Sequence, residues 1–248
     1  MLKLTCPDGT PITRWEEWTR PKRDYQWKAG RSAMELAKSW FRTGTPAPPQ
    51  ELLDWLNSHD RTKGIRFVCG TPEKVTRLPE KGEGRNHDLA LIGHTDVEQV
   101  TVCIEAKADE PFGSDSVLDY YNKALRKRTS GIVTRAPERI AALLSMIDPE
   151  GVSIYESRWK NVRYQLITAL CGTILQTIED RSSLGVLVIH EFRTSLTDDK
   201  KVQDNHQEFG KFFRNLELSS CGDGILWGQF LNAENSVLIS KVVSNYQY

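Results

Sequence analysis

Apolar residues recur at helical spacing soon after residue 30. In SAMELAKSWF, Met34, Ala37 and Phe41 fall on one face of a helix. The prolines of the following TGTPAPP cannot continue this helix, so we expect it to end before them. The next segment, QELLDWLNSH, predicts a second and shorter helix.

Continuous apolar runs predict the strands. These runs are GIRFVC (64–69), NHDLALIG (86–93), the start of CIEAKADEPFG (103–113), LGVLVIHEF (184–192), GILWGQFLN (224–232) and SVLISKVV (236–243). The turn-rich GTPEKVTRLPEKGEG follows the first run and is expected to be a loop. A polar turn near HTDVE joins the second and third runs, which predicts adjacent antiparallel strands. The unbroken run at 184–192 is typical of an interior strand.

Four further helices are predicted: SVLDYYNKALRKR (116–128), PERIAALLSMI (137–147), RWKNVRYQLITALCGTILQTIED (158–180) and KKVQDNHQEFGKFFRNLE (200–217). The third is the longest, and it is apolar on nearly all sides, which indicates burial against the sheet. The order of elements predicts an α/β fold, with helices flanking one mixed sheet. We expect residues 1–29 to be an N-terminal arm and residues 30–248 to be the domain.

Length and charge narrow the class of protein. The chain has 248 residues, enough for one large domain with a substantial core. Its 33 basic and 33 acidic residues cancel. The overall charge therefore gives no attraction to nucleic acid or to an anionic membrane, and a site for a polyanion must be local.

Cysteine usage and hydropathy favour a cytoplasmic protein. The odd number of cysteines and the absence of a CxxC pair fit neither a disulfide framework nor a structural zinc site, so we expect free thiols at Cys6, Cys69, Cys103, Cys171 and Cys221. The N-terminal MLKLTCPDGT lacks the apolar core of a signal peptide. No apolar run approaches the roughly 20 residues that a membrane span needs. We expect no membrane partner.

Tryptophans are concentrated in the first thirty residues, at positions 15, 18 and 27, and RPKRDYQWK (20–28) mixes cations with aromatics. Such a segment could clamp a nucleic-acid strand by stacking and charge. We favour the alternative, in which an amphipathic N-terminal arm packs on the domain.

Ionisable residues interrupt two of the apolar strands, at Asp88 and at Glu105 and Lys107. Buried charges are costly unless they are paired or bound to a cation. Residues two apart on a strand share a face, so Glu105 and Lys107 project together, while Ala106 offers its carbonyl nearby. An antiparallel neighbour would bring Asp88 beside them. Carboxylates, a carbonyl and waters are the ligands that Mg²⁺ prefers, with Mn²⁺ as the alternative ion.

The arrangement of Asp88, sixteen intervening residues and Glu105-Ala106-Lys107 resembles the core motif of the PD-(D/E)xK nuclease superfamily, which includes restriction enzymes and repair nucleases. The resemblance covers about residues 31 to 192 and implies a restriction endonuclease-like fold. It implies metal-dependent cleavage of a phosphodiester bond, with Asp88 and Glu105 as Mg²⁺ ligands and Lys107 serving the attacking water.

Two more residues follow from this resemblance. Many members carry an acidic residue on the helix before the sheet, where this chain has Glu35, and some carry a polar residue on the helix after the motif, where this chain has Gln165. His87 stands where the family motif has proline. A structural alternative exists for Glu35, because Ser32 to Glu35 also fits an S-x-x-E capping box. For Asp88 and Glu105 the alternatives are a strand assignment wrong by a residue or two, or an ordinary ion pair of Glu105 with Lys107.

Other polar groups are weaker candidates. His190 closes an apolar run, and a hydrogen-bonded structural role is favoured over catalysis. The clusters KALRKR (123–128) and RWKNVR (158–163) could line a groove for phosphates, although exposed helix faces are the default. Asp198-Asp199 and Asp109-Glu110 are expected to lie in solvated loops.

These observations support a Mg²⁺-dependent nuclease acting on DNA rather than RNA as the first hypothesis. A homodimer would suit cleavage of both strands of a duplex. The alternative is a catalytically silent protein of nuclease fold that binds nucleic acid or a protein partner. A third hypothesis is an interaction subunit that docks through its tryptophan-rich N-terminus.

Overall fold

A computed structural model describes residues 2–148, 153–216, 219–220, 226–229 and 236–246. The helices are α1 (Ser32–Ser39), α2 (Gln50–Asn57), α3 (Val117–Thr129), α4 (Ala136–Ile147), α5 (Tyr164–Glu179) and α6 (Asp199–Asn215). The strands are β1 (Lys3–Thr5), β2 (Pro11–Ile12), β3 (Arg66–Thr76), β4 (Arg85–His94), β5 (Gln99–Lys107), β6 (Leu184–Arg193), β7 (Ser219–Ser220), β8 (Leu226–Gln229) and β9 (Ser236–Asn245).

One mixed sheet contains all the described strands, in the order β2-β1-β3-β4-β5-β6-β9-β8-β7. Strands β3, β4 and β5 are antiparallel neighbours, whereas β6 runs parallel to both β5 and β9. The predicted α/β class with a mixed sheet is therefore confirmed, as is the antiparallel pairing of the two strands that carry Asp88 and Glu105.

Two hydrophobic clusters cover the two faces of the sheet. Along β6, Leu187 and Ile189 belong to one cluster, whereas Val186 and Val188 belong to the other, because successive side chains of a strand point to opposite faces. Helix α5 packs in the first cluster and helix α1 in the second. Nine of the ten β6 residues are buried, which explains the unbroken apolar run in the sequence.

Strand β3 extends further than the sequence predicted. The segment from Gly70 to Thr76 was expected in a loop, but it pairs with β4. Its alternating polar residues hide the strand, because one side of β3 meets solvent: Val68 and Val75 are 48 % and 58 % exposed. A register shift between Phe67 and Cys69 further breaks the regular pattern.

The helix predicted over 158–180 is shorter than expected. Arg158–Asn161 is a single 3-10 turn, and α5 begins at Tyr164. The intervening backbone is extended because Val162 O accepts a hydrogen bond from Val117 N at 2.9 Å. As a result α6, with 17 residues, exceeds α5, with 16.

The N-terminal segment contributes to the sheet and to the core. Strand β1 pairs in parallel with β3, and β2 pairs with β1. Leu4, Ile12 and Trp18 are 2 %, 2 % and 3 % exposed and belong to the cluster around α1. The division at residue 29 stays a prediction.

Two predictions reach beyond the described residues. Of the strand predicted over 224–232, β8 covers Leu226–Gln229, and positions 224–225 and 230–232 lie outside the described residues. Cys6, Cys69, Cys103 and Cys171 are free thiols, as expected, while Cys221 lies outside the described residues.

Candidate active site

A cleft of about 620 Å³ contains most of the residues singled out in the sequence. Its inner end is formed by strand residues that are largely buried, namely Glu73, Asp88, Glu105, Ala106 and Lys107. Its other lining segments are the N-terminal residues Pro21, Arg23, Tyr25 and Gln26, the start of α1, the loop after β5, Gln165 of α5 and Lys201 of α6.

Asp88 meets the Glu105–Lys107 segment where the β4–β5 ladder ends. The last backbone pair is Leu89 with Ile104, and the same register continued by one residue places Asp88 opposite Glu105. Here the aspartate side chain replaces the main-chain partner: Asp88 Oδ2 accepts a hydrogen bond of 2.6 Å from Ala106 N. The structure thus brings together the three residues of the sequence motif, and Ala106 contributes its N–H to them.

The carboxylate of Glu105 is held by three neighbouring side chains. Its side chain forms ion pairs with Arg85 and Lys107, and its Oε1 accepts a hydrogen bond of 2.7 Å from Gln165 Nε2. Only 2 % of Glu105 is exposed. The Glu105–Lys107 ion pair that we considered as an alternative is present, in a buried setting where each partner needs the other. Gln165 lies on α5, and its contact with Glu105 places it beside the motif residues.

Lys107 is held in a position unusual for a lysine. It is 6 % exposed, and its Nζ lies 5.3 Å from the centroid of the Phe112 ring. Burial lowers the pKa of Lys107, and the negative charges of Asp88 and Glu110 oppose that shift. A lysine in this environment gives up its proton more readily than a solvated one.

The carboxyl group of Asp88 shifts in the opposite direction. Burial raises the pKa of Asp88, while the charges of Lys107 and Arg85 and the Ala106 N–H counteract the shift. Two ionisable groups whose pKa values are displaced in opposite directions and that line one cleft are typical of a catalytic or ligand-binding site.

Sequence reasoning missed Glu73 of β3. Its backbone adopts a positive φ of 53°, a region that non-glycine residues seldom occupy inside a strand. Burial, followed by the charge of Asp88, raises the pKa of Glu73 to about 7. Asn86 Nδ2 donates a hydrogen bond to Glu73, while Asn86 Oδ1 is buried and has no hydrogen-bond partner among the described residues. Glu73 was missed because its segment was predicted to be a loop.

Arg85 was also missed. It is 8 % exposed, and burial lowers its pKa, while its guanidinium pairs with Glu105. It fits beneath α5 because Gly172 has no side chain: a Cβ at that glycine would lie 2.6 Å from Arg85 Cγ. A single arginine at the start of a strand gives no sequence signal, and only the tertiary packing reveals its role.

Glu35 lies outside the set of described residues that line the cleft. It is 2 % exposed, and its Oε1 accepts a hydrogen bond of 2.8 Å from Gly30 N. The predicted capping box is wrong: Arg31, not Ser32, is the N-cap, and Ser32 Oγ instead donates to Glu110 Oε1 at 3.3 Å. Glu35 nevertheless satisfies a main-chain N–H just before α1, which supports a structural role.

Asp109 and Glu110 were expected in a solvated loop, and this expectation is wrong. Asp109 is 9 % exposed and binds Arg31 at 2.8 Å and Lys201 at 3.4 Å. Glu110 accepts hydrogen bonds from Ser32 N at 3.1 Å and from Ala108 N at 2.9 Å. These contacts tie the loop after β5 to α1 and α6 and fix the side of the cleft. Asp198 is the N-cap of α6, where its side chain accepts from the N–H groups of residues 200 and 201.

The tryptophans of the N-terminal segment pack, as favoured in the sequence analysis. Trp18 is 3 % exposed, and the Trp15 and Trp27 rings stack with their centroids 6.3 Å apart beside the same cluster. Tyr25 differs, because it lines the cleft and is 61 % exposed. The aromatic group offered to the cleft is therefore a tyrosine.

His190 has the structural role favoured for it. The ring is fully buried, its Nε2 is 2.9 Å from Ser244 Oγ, and burial lowers its pKa to about 3. The basic clusters at 123–128 and 158–163 contribute no residue to the described lining of the cleft, and Arg163 reaches its edge, where its Nη1 donates to Ser114 O at 3.0 Å.

Two carboxylates of the cleft are candidate ligands for a hard divalent cation that takes few of its ligands from the protein. Within the ranges that the structure covers, no three His, Cys, Asp or Glu side chains are grouped to hold a metal ion. Mg²⁺ that binds with a phosphate substrate needs only one or two carboxylates and keeps several waters, and Asp88 and Glu105 supply that number. Burial is the main cause of the raised pKa of Glu73, and the negative charge of Asp88, which a bound cation would offset, adds to it. The ion pairs of Glu105 compete with such an ion for the same oxygens.

Hydropathy sets the helices apart from membrane spans. No helix in the described part of the chain is both long enough and apolar enough to cross a bilayer.

A family model described as "Domain of unknown function (DUF6946)" matches residues 10–245, so the chain belongs to that family. No curated protein and no solved structure matches the chain.

Proposed function

We propose that this member of the DUF6946 family is a divalent-metal-dependent nuclease of the PD-(D/E)xK type that hydrolyses phosphodiester bonds in DNA. The observation that carries the proposal is the meeting of Asp88 with Glu105 and Lys107 in one cleft, where all three are held by neighbouring groups. The order α1, antiparallel β3-β4-β5, α5 and parallel β6 supports it, because it is the order that the restriction endonuclease-like fold implies.

Asp88 and Glu105, with the carbonyl of Ala106, would hold Mg²⁺ or Mn²⁺. The bound ion would offset the negative charge of the phosphate and of the leaving oxygen. Gln165 and Arg85 orient the Glu105 carboxylate from two sides, which restricts the directions in which its oxygens can face.

Lys107 positions the attacking water and receives its proton. A general base must be unprotonated, and the lowered pKa of Lys107 makes its neutral form more accessible at physiological pH. Lys107 Nζ donates a hydrogen bond to Glu105, which a neutral amine can also do, and this contact would hold the amine in the cleft beside the phosphate.

The competing function is a catalytically silent nuclease fold that binds nucleic acid or a protein partner. One observation favours it: Arg85, Lys107 and Gln165 already satisfy the Glu105 carboxylate, so the site is electrostatically stable without an ion. The two functions differ in whether the cleft takes up a divalent cation.

Hydrolysis of labelled DNA oligonucleotides in Mg²⁺ or Mn²⁺ tests the proposal. We expect Lys107→Ala and Asp88→Asn to lower the cleavage rate by about 10²-fold or more, because each removes a group that acts in the reaction. Lys127→Ala and Asp96→Asn, at exposed positions, serve as matched controls and should cleave like the wild type.

Cleavage by Lys107→Ala at the wild-type rate would contradict the mechanism. Calorimetric titration with Mn²⁺ separates the two functions. A nuclease has an ion site that Asp88→Asn abolishes and Asp96→Asn retains, whereas the silent fold binds DNA with no such site.

A further inference from the structure

We propose that the DNA strand enters the cleft unpaired and that one of its bases stacks on Tyr25. This inference rests on the proposed function and deepens it by naming the form of the substrate. It follows from the contrast between the buried inner end of the cleft and the exposed aromatic group that lines it.

The inner end of the cleft is recessed. Glu105 and Lys107 are only 2 % and 6 % exposed, and Asp109 and Glu110 tie the loop after β5 to the start of α1 and to α6. Duplex DNA is stiff on the scale of one protein, and it carries its phosphates on two paired strands of fixed shape. A flexible single strand can bend its backbone into such a recess more readily than a duplex can.

Tyr25 is placed to receive a base. Its ring is 61 % exposed, although the nearby tryptophans of the same segment are packed away. Arg23 orients the ring: its Nη1 donates to Tyr25 Oη at 2.9 Å, and its Cζ lies 6.0 Å from the ring centroid. A tyrosine beside an arginine is the combination with which proteins bind single strands, by stacking on a base and attracting the phosphate.

The charges that line the cleft favour a DNA strand held through a base rather than through its phosphates. Arg31 and Lys201, the other cations beside the loop, are paired with Asp109. Five carboxylates line the cleft, at positions 73, 88, 105, 109 and 110, against four cations, at 23, 31, 107 and 201. Because the lining carries no excess of positive charge, it attracts the backbone only weakly, and a base stacked on Tyr25 would supply a larger share of the affinity, with little preference for sequence.

Fluorescence anisotropy with a labelled oligothymidine and with a blunt hairpin duplex, both in EDTA, tests the inference without turnover. We expect the wild type to bind the single strand more tightly than the duplex. Tyr25→Ala should weaken single-strand binding by roughly 5- to 100-fold, which corresponds to the loss of one base–aromatic stack. Tyr25→Phe keeps the ring and should bind nearly as well as the wild type.

Tyr155→Ala is the matched control, since Tyr155 is 51 % exposed and lines a different groove. Equal binding of single strand and duplex, or no effect of Tyr25→Ala, would overturn the inference. The outcomes are separable from those of the proposed function. Single-strand binding that depends on Tyr25, without cleavage that depends on Lys107, would contradict the proposed nuclease activity and support base stacking on Tyr25. Cleavage that depends on Lys107 and proceeds at equal rates on duplex and single strand would contradict the stacking proposal and support the nuclease.

Discussion

Glu73 combines an uncommon backbone conformation with an uncommon environment. Its φ of 53° turns it within β3, and burial together with Asp88 raises its pKa to about 7. Strained backbone persists where the surrounding structure over-determines it, and such residues are concentrated at functional sites. The motif residues Asp88, Glu105 and Lys107 were found in the sequence because charges inside apolar strands are rare. Glu73 and Arg85 were not, because a charge in a polar segment is ordinary.

The raised pKa of Glu73 makes stability depend on pH. The folded state favours the protonated carboxyl, so this group's contribution is fully present below about pH 4.5 and is lost as the pH rises through about 7. In EDTA, we expect Glu73→Gln to be more stable than the wild type at pH 8 by about 3 kcal/mol, with a much smaller difference at pH 5. Urea unfolding at both pH values measures this. The exposed control Glu156→Gln should follow the wild type, and a difference for Glu73→Gln that is the same at both pH values would contradict the expectation.

Helix α5 and the strands beneath it could be located from the sequence because they are buried. Burial on both faces leaves an unbroken apolar run in β6, and an amphipathic or fully apolar helix shows its period directly. Strands β1 and β2 could not be located, because three and two residues are too few to show an alternating pattern. The start of α5 depends on the pairing of Val162 with Val117, a contact that no local pattern encodes.

Substitution of Gly172 in α5 tests how closely that helix packs on the candidate site. A Cβ there would lie 2.6 Å and 2.9 Å from Arg85 Cγ and Cβ, so Arg85 would have to move from its place beside Glu105. We expect Gly172→Ala to destabilise the protein by about 1–3 kcal/mol, despite the better helix propensity of alanine. Thermal and urea unfolding measure it.

Gly210 of α6 provides the matched substitution, because a Cβ there would lie 3.4 Å from the flexible end of Arg214. Gly210→Ala should be neutral or stabilising by up to about 1 kcal/mol. A stabilising effect of the same size for Gly172→Ala would show that α5 does not press on Arg85.

At the scale of the whole molecule, the N-terminal segment has two roles, because it completes the hydrophobic core and also lines the cleft. Leu4, Ile12 and Trp18 complete the core around α1, and Tyr25 lines the cleft. The balanced charge of the sequence predicts that any site for a polyanion is local, but the contribution of the first thirty residues to the cleft depends on long-range contacts that the sequence does not show.

Deletion of residues 1–29 tests this dual role. Removal of three buried apolar side chains should lower the free energy of unfolding by about 4 kcal/mol or more, since each contributes about 1.5–3 kcal/mol. Urea unfolding of the deletion variant gives the measurement, and Trp18→Ala in the full chain should account for about 3 kcal/mol of it. A deletion variant with wild-type stability would instead establish residues 30–248 as a self-sufficient domain.

The bond from Ala106 N to Asp88 Oδ2 has an evolutionary consequence. Under the proposed function, Asp88 serves both the junction of β4 with β5 and the reaction, whereas the side chain of Lys107 pairs with Glu105 and has no part in that junction. In a relative that had lost hydrolytic activity, asparagine at position 88 would still accept the hydrogen bond from Ala106 N through its amide oxygen. Selection would therefore keep an oxygen acceptor at position 88, whereas the residue at position 107 would vary. Catalytically silent relatives should therefore be recognised by the loss of the lysine at position 107, and the residue at position 88 is a poorer indicator.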